Sequence, residues 1–238
     1  MNTKLLVLFA VAGFACAPGV GHTDSPSSVD IAVFDPTTGN IPLPNDLALQ
    51  PSSQVGLPPA QVQLLTAFSA KGGFPSDQEV PVTISFQQQA IAADGTVTNS
   101  APDLDLTTFT TGSATAAPTV LVILQTTSNA GTVAIDPIAA TDYVKLPSFG
   151  TLTLHHKGHL PWAPGEYIVA LRGGTNGVKA TGGTPIVASS TFFLIAQGVP
   201  LTSDTSLALL RAQAGTTAKA QALAAQLNAA RAALLEKR

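Results

Sequence analysis

In the central part of the chain, apolar and polar residues alternate in short runs, which is the pattern of strands with one buried face. The clearest alternation is Val80–Phe86, whereas Thr119–Leu124 is continuously apolar, as expected of a central strand. Glu166–Arg172 and Thr191–Ala196 are further strong candidates. Shorter strands are predicted at Thr132–Ile135, Asp142–Leu146 and Thr151–Leu154. Turns rich in Gly, Asn and Pro separate these runs at short intervals, which favours antiparallel sheets over a βαβ fold.

Two segments have a helical period instead. Pro58–Lys71 carries apolar residues at helical spacing and is followed by two glycines, so it predicts a short helix. Thr205–Lys237 is rich in Ala and Leu and has no proline. It predicts either two helical pieces around Gly215 or one long imperfect helix. Phe34–Leu47 contains three prolines and a glycine, so we expect an irregular N-terminal loop there.

The residues Trp162–Tyr167, which lead into the candidate strand Glu166–Arg172, are typical of a tyrosine corner. In such a corner, a Tyr near the start of a strand hydrogen-bonds back to the upstream backbone. We therefore expect Trp162 and Tyr167 to be structural. Together these patterns predict a mainly β fold. The predicted architecture is an immunoglobulin-like antiparallel β-sandwich, with an irregular loop and a short helix on its N-terminal side and an Ala/Leu-rich helix at the C-terminus.

The N-terminus has the form of an export signal with a lipid-attachment site. Lys4 supplies a positive charge, and Leu5–Phe14 is an apolar run too short to span a membrane. Lipoprotein processing cuts before a cysteine in this position and attaches lipid to its thiol, although Gly13 stands where leucine is usual. We predict a lipoprotein signal peptide at residues 1–15 and lipidation of Cys16. The alternative is a secreted protein that loses this thiol or carries it incidentally.

The rest of the chain divides by composition. Residues 16–28 are rich in Pro, Gly and Ser and are predicted to form a flexible tether. Residues 29–200 are predicted to be the immunoglobulin-like β-sandwich domain, and residues 201–238 the C-terminal helical segment. This organisation indicates an exported protein that is lipid-anchored to the bacterial cell envelope, at the outer membrane or cell surface.

The net charge of −3 conceals an uneven distribution. From Cys16 to Val144 there are eleven acidic residues and one basic residue, and from Lys145 onward there are nine basic and three acidic residues. Either two faces of the protein differ in sign, or the acidic part attracts divalent cations outside the cell. Neither half is basic enough to indicate nucleic acid as a partner.

Three aspartates are candidate metal ligands. Asp94, Asp103 and Asp105 lie in a stretch rich in Gly, Thr, Asn and Pro. Calcium takes about six to eight oxygen ligands, often from loops. Because the spacing matches no EF-hand, a solvated loop is our main interpretation, and a calcium-stabilised adhesion domain is the alternative.

The only histidine cluster is formed by His155, His156 and His159. Zinc or copper would require neutral imidazoles that converge with further ligands. The adjacent sequence offers Lys157 and neither a carboxylate nor a thiol. We therefore interpret the cluster as a strand end and turn, and we predict no metal site and no cofactor.

Four short segments of the chain resemble parts of a known family. Phe34–Pro36 and Ile41–Leu47 resemble the opening of the bacterial virulence factor lipase N-terminal domain family. Gly73–Ser76 and Pro164–Gly174 fit the same pattern, and the latter also resembles bacterial immunoglobulin-like repeats. The resemblance covers about Val29 to Gly198. It implies an immunoglobulin-like region which, in that family, precedes an α/β-hydrolase domain.

The hydrolase part of that family has no counterpart in this chain. There is no Gly-x-Ser-x-Gly elbow, and near Ser148 the first glycine is replaced by Leu146. The serine of such an elbow sits on a strained turn that needs the glycines. We therefore predict no catalytic residue and no enzyme.

The predicted function is that of a non-catalytic binding or spacer module in a lipid-anchored cell-envelope protein. Its partners would be the membrane, through Cys16, and an unidentified protein or glycan ligand. The alternative is the N-terminal accessory part of a secreted or surface lipase or esterase whose catalytic domain is missing from this chain.

Overall fold

A computed structural model describes residues 4–7, 27–34, 40–44, 49, 58–71, 73–92, 94, 96–112, 116–125, 131–189, 192, 201–203, 207 and 216–235. Within these ranges the chain is mainly β, with strands in open sheets and two α-helices. The strands are β1 Lys4–Val7, β2 Ser27–Ala32, β3 Val82–Ile91, β4 Val97–Ser100, β5 Leu104–Asp105, β6 Val120–Gln125, β7 Gly131–Thr132, β8 Tyr143–Lys145, β9 Gly150–Leu154, β10 Glu166–Leu171, β11 Lys179–Ala180 and β12 Ile186–Ala188. The helices are α1 Pro59–Ala70 and α2 Thr217–Leu235. The predicted mainly β class is confirmed, and the arrangement is consistent with a β-sandwich.

The described strands form three sheets. The largest has the order β12-β2-β3-β9-β8, with β4 also paired to β3. The second has the order β1-β10-β6-β7, and β11 pairs with β5 in a small third sheet. Most pairs are antiparallel, as predicted, but the pairs β1–β10 and β2–β12 are parallel.

The two larger sheets contribute apolar side chains to one buried cluster. Every second residue is buried in the first half of β3, from Val82 to Phe86, and along the whole of β10, which is the period that predicts these strands from sequence. Each fully buried aliphatic or aromatic side chain stabilises the fold by roughly 1.5–3 kcal/mol. The cluster includes Val82, Ile84, Phe86, Val120, Val122, Leu152, Leu154, Tyr167, Val169 and Leu171.

The predicted tyrosine-to-backbone hydrogen bond is present at the start of β10. The Tyr167 hydroxyl donates to the carbonyl of Ala163 at 2.6 Å. The indole N–H of Trp162 donates to the carbonyl of Val80 at 2.9 Å, and its ring packs edge-to-face on Tyr167 with centroids 5.3 Å apart. The Trp162 bond therefore ties the turn before β10 to the residues that lead into β3.

Strand β2 begins inside the segment that was predicted as a tether. Its Asp30 is buried in the sheet, where the Gln88 side-chain amide donates to Oδ1 at 3.1 Å. Burial raises the pKa of Asp30, and the bond from Gln88 opposes that shift. A charged residue at a buried position hides a strand from pattern analysis, since alternation predicts apolar residues on the inner face.

The predicted strand Thr191–Ala196 is wrong at its one described residue. Phe192 has helical conformation. Its backbone N–H donates to the Ser189 hydroxyl oxygen at 3.3 Å, and that hydroxyl donates to the carbonyl of Phe34 at 3.1 Å. A serine side chain thus takes the amide that a neighbouring strand would otherwise use.

The two ends of the chain are described only in part. Strand β1 lies within the predicted signal peptide, and Cys16 lies outside the described residues. Helix α2 begins at Thr217, directly after the interruption predicted around Gly215. Neither α1 nor any other helix in the described ranges has the length and apolar character needed to cross a lipid bilayer.

Candidate functional site

Strands β3 and β9 bring together three side chains that are distant in sequence. Glu79 lies shortly before β3, and His155 directly follows β9. The two strands are antiparallel neighbours with Val82 opposite Leu154, so the start of one meets the end of the other. His159 completes the group. In the described part of the chain, this is the only set of three His, Cys, Asp or Glu residues placed to hold a metal ion.

Each imidazole in this group, which we call the Glu79 cluster, contacts one carboxylate oxygen. His155 Nδ1 lies 2.8 Å from Glu79 Oε1, and His159 Nδ1 lies 3.0 Å from Oε2. The Glu79 and His155 side chains are 17% and 22% exposed, whereas that of His159 is 63% exposed. The cluster is therefore sheltered on the side of the sheet and open to solvent on the side of His159.

A tight turn holds His159 over the carboxylate. The turn spans Lys157–His159, with φ of 71° at Gly158 and 54° at His159. The Asp136 carboxylate accepts the Gly158 N–H at 2.9 and 3.1 Å. The left-handed region is uncommon for a residue with a side chain and costs about 1–2 kcal/mol. The fold therefore maintains a locally unfavourable backbone at the residue that completes the cluster.

The middle histidine of the run does not belong to the cluster. The ring of His156 packs against Trp162 with centroids 4.8 Å apart. Its Nδ1 is buried and has no hydrogen-bond partner within the described ranges. His156 therefore belongs to the packing around the indole, while His155 and His159 face Glu79.

The contacts of the cluster shift two pKa values in opposite directions. Burial acts to raise the pKa of Glu79, but hydrogen bonds and charge from His155 and His159 together outweigh it, and that pKa is lowered. The hydrogen bond and the charge of Glu79 raise the pKa of His159, and Asp136 and Asp142 add to this effect. The cluster is therefore an acid–imidazole group that responds to pH.

Substitution Glu79→Gln should destabilise the protein most in a limited pH range. Because the pKa of Glu79 is lowered in the folded protein, its contribution to the free energy of unfolding is present above the ordinary pKa of 4.5. That contribution is lost as the pH falls through the pKa of the folded state. The raised pKa of His159 means that its contribution is complete below the ordinary value of 6.5 and is lost as pH rises through the folded value. In urea unfolding at a series of pH values, the difference in unfolding free energy from wild type should therefore peak between about pH 4.5 and 6.5.

A matched control for this experiment is Asp77→Asn. Asp77 is an exposed acidic residue two positions before Glu79 in the same segment. This variant should track wild type across the pH series. A difference for Glu79→Gln that does not depend on pH would contradict the ion-paired description of the cluster.

The three aspartates predicted as candidate metal ligands lie in separate local contacts. Asp94 Oδ1 accepts the Thr96 N–H at 2.9 Å, and Asp105 Oδ1 accepts the Thr107 N–H at 3.1 Å. Asp103 pairs with Lys145. The structure does not bring the three together as a ligand group within the described ranges, and calcium binding stays the untested alternative to a solvated loop.

Glu79 cannot be assigned to the site from the sequence, because its two histidine partners are remote along the chain. The adjacent residues offered no carboxylate to the histidines, and the relevant one lies 76 residues upstream of His155. The only usable signal was that Glu79 precedes a predicted strand while His155 follows another. That signal points to a site only once the two strands are known to be antiparallel neighbours.

Comparison of the chain with protein-family models, with curated proteins and with solved structures found no match. The function of the site therefore has to be inferred from its own geometry.

Proposed function

We propose that this chain is a non-catalytic, immunoglobulin-like binding or spacer module of an exported, lipid-anchored bacterial cell-envelope protein. The observation that carries the proposal is the set of contacts made by His155, His156 and His159. His155 and His159 face Glu79, and His156 packs on Trp162. Within the described ranges none of them is hydrogen-bonded to a hydroxyl or thiol, whereas nucleophilic hydrolysis needs such a pair.

The tyrosine corner supports the immunoglobulin-like part of the proposal. The bond from Tyr167 to Ala163 closes a turn at the start of β10, as the corner does in sandwiches of that type. The neighbouring β6 pairs with β10 over six residues, from Glu166 opposite Gln125 to Leu171 opposite Val120. This pair gives the domain a rigid central ribbon, which suits a spacer that holds its loops in fixed positions.

The position of Cys16 supports the anchor. Ten residues separate it from β2, which begins at Ser27. Ten residues can span at most about 35 Å, so a lipid on Cys16 would keep the sandwich close to the membrane surface. Processing before Cys16 would also remove β1. Because β1 is a terminal strand of its sheet, its removal leaves the pairs β10–β6 and β6–β7 in place.

The anchor predicts a defined mature N-terminus. When the full chain is expressed in a bacterial host with lipoprotein processing, mass spectrometry should find a mature protein that begins at a lipid-modified Cys16. The protein should fractionate with membranes and be released by detergent. Cys16→Ser should abolish the modification, because no other cysteine is present.

Two results would count against the proposal. An unmodified Cys16 in the mature protein, or cleavage at another position, would remove the anchor. Hydrolysis of short-chain nitrophenyl esters above the buffer rate, lost in His155→Ala, would show that the module is catalytic.

A further inference from the structure

We propose that Glu79, His155 and His159 form a binding site for a divalent transition-metal ion, and that zinc is the ion the site fits best. The three side chains offer two imidazole nitrogens and a carboxylate, a donor set that zinc takes in proteins. This inference goes beyond the anchored module and does not depend on it, because the site would exist with or without a lipid on Cys16.

The distances in the cluster are close to those a tetrahedral ion requires. Zinc lies about 2.0–2.2 Å from nitrogen and oxygen ligands, which places the ligand atoms about 3.3 Å from one another. The two contacts of Glu79 are 2.8 and 3.0 Å, and the ligand atoms of the group all lie within 4.8 Å of one another. An ion that replaces the hydrogen bonds would thus require shifts of about 0.3–0.5 Å at these contacts and of at most about 1.5 Å at the widest pair.

The backbone fixes the three ligands independently. The antiparallel pair β3–β9 sets the spacing between Glu79 and His155. The turn that carries His159 is held by Asp136, which accepts from Gly158, and by the Lys157 N–H, which donates to the carbonyl of Ala134 at 3.2 Å. The left-handed backbone of His159 is the kind of local strain that a functional site retains.

Asp136 supplies an outer partner for one of the ligands. Its Oδ2 lies 3.9 Å from His159 Nε2, the ring nitrogen opposite the one that faces Glu79. Metal-bound imidazoles commonly donate their second N–H to a carboxylate, which fixes the tautomer and the ring orientation. A small approach of Asp136 would complete this arrangement, so we assign it as a positioning residue.

The chemistry of the donors selects the class of ion. Calcium requires about six to eight oxygen ligands, and the cluster supplies far fewer. Imidazole with carboxylate suits zinc and other borderline metals. Softer ions favour thiolate ligands, and the group of Glu79, His155 and His159 contains none. The open side at His159 leaves a path for the ion and room for a water molecule as a further ligand.

Zinc must compete with protons for these donors. The titratable groups at the site are Glu79, His155, His159 and Asp136, and Asp142 acts on His159 through its charge. Since zinc displaces protons from its imidazole ligands, its affinity should be lower in acidic solution than near neutral pH.

The test is calorimetric titration of the purified, chelator-treated full chain with zinc chloride at about pH 7.5. We expect saturable binding of one ion per chain, with an affinity that is lower at about pH 5.5. His159→Ala and Glu79→Gln should each weaken binding by about 100-fold or more, because loss of an outer partner alone costs about 10–100-fold. Asp136→Asn should weaken zinc binding by about 10–100-fold, the loss expected when only an outer partner is removed. Cobalt in place of zinc should give the visible absorption bands of a tetrahedral site, and these should be lost in His159→Ala.

His22→Ala is the matched control, since His22 is the histidine of the chain outside the run 155–159. It should bind zinc as wild type does. His159 is largely exposed, so His159→Ala should retain the wild-type circular dichroism spectrum. Equal zinc affinity in wild type and His159→Ala, or the lack of one-to-one binding up to about 1 mM zinc, would overturn the proposal. Tight binding of copper without binding of zinc would overturn the choice of ion.

Discussion

Trp162→Ala should destabilise the protein by about 3–5 kcal/mol, because a large buried aromatic side chain is removed and a cavity remains. Trp162 is buried in the core, at 2% exposure, and its ring packs against both Tyr167 and His156. The substitution also leaves the partly buried carbonyl of Val80 without its indole donor. Trp162 is the only tryptophan of the chain, so unfolding in urea is best followed by far-UV circular dichroism.

Two further variants separate the causes of this loss. Trp162→Phe keeps an aromatic ring but removes the N–H, so it should cost less than the alanine variant and still exceed about 1 kcal/mol. Leu160→Ala is the control, because Leu160 lies two residues away and is 57% exposed. It should remain within about 0.5 kcal/mol of wild type. A Trp162→Ala protein as stable as Leu160→Ala would show that the indole does not join the turn to the sheet.

Gly177→Ala should cost about 3 kcal/mol or more, or prevent folding, because an added methyl group meets main-chain oxygens that cannot rotate away. Gly177 lies between β10 and β11, where a Cβ would collide with the carbonyl oxygens of Arg172 and Gly173. The same loop is closed by the Val178 N–H, which donates to the carbonyl of Arg172 at 2.8 Å. Relief of the collision would therefore break a hydrogen bond that leads into β11. Thermal unfolding followed by circular dichroism measures the effect.

The matched control for this substitution is Gly131→Ala. A Cβ at Gly131, in strand β7, would meet no atom within 4 Å. Because Gly also weakens a strand through its entropy in the unfolded chain, this variant should be neutral or slightly stabilising. If both glycine variants lose the same stability, the close approach at Gly177 is not the cause.

The strands that the sequence pattern predicted are those with strong local signals. Alternating burial along β3 and the apolar run of β6 both depend on residues that are adjacent in the chain. Strands β2 and β12 escaped prediction for two different reasons. In β2, Asp30 occupies a buried position that is normally apolar, and β12 has only three residues and depends on a parallel partner remote in sequence. Phe192 was misassigned because Ser189 takes its amide.

The candidate site was half visible in the sequence. The spacing of His155 and His159 is local, and the sequence predicts their location at a strand end and the turn that follows it. Their acidic partner could not be found from adjacent residues, since Glu79 joins them only through the pairing of β3 with β9. The strain at His159 was also invisible, because nothing in the residue type reveals a left-handed backbone.

The parallel pair β2–β12 has a consequence for the time course of folding. Asp30 lies opposite Ile186, so the strand that opens the largest sheet waits for a partner about 156 residues later in the chain. Contacts of such high contact order slow folding, since a long loop must close before the contact stabilises anything. During synthesis the nascent polypeptide therefore lacks its complete sheet until residue 188 has emerged.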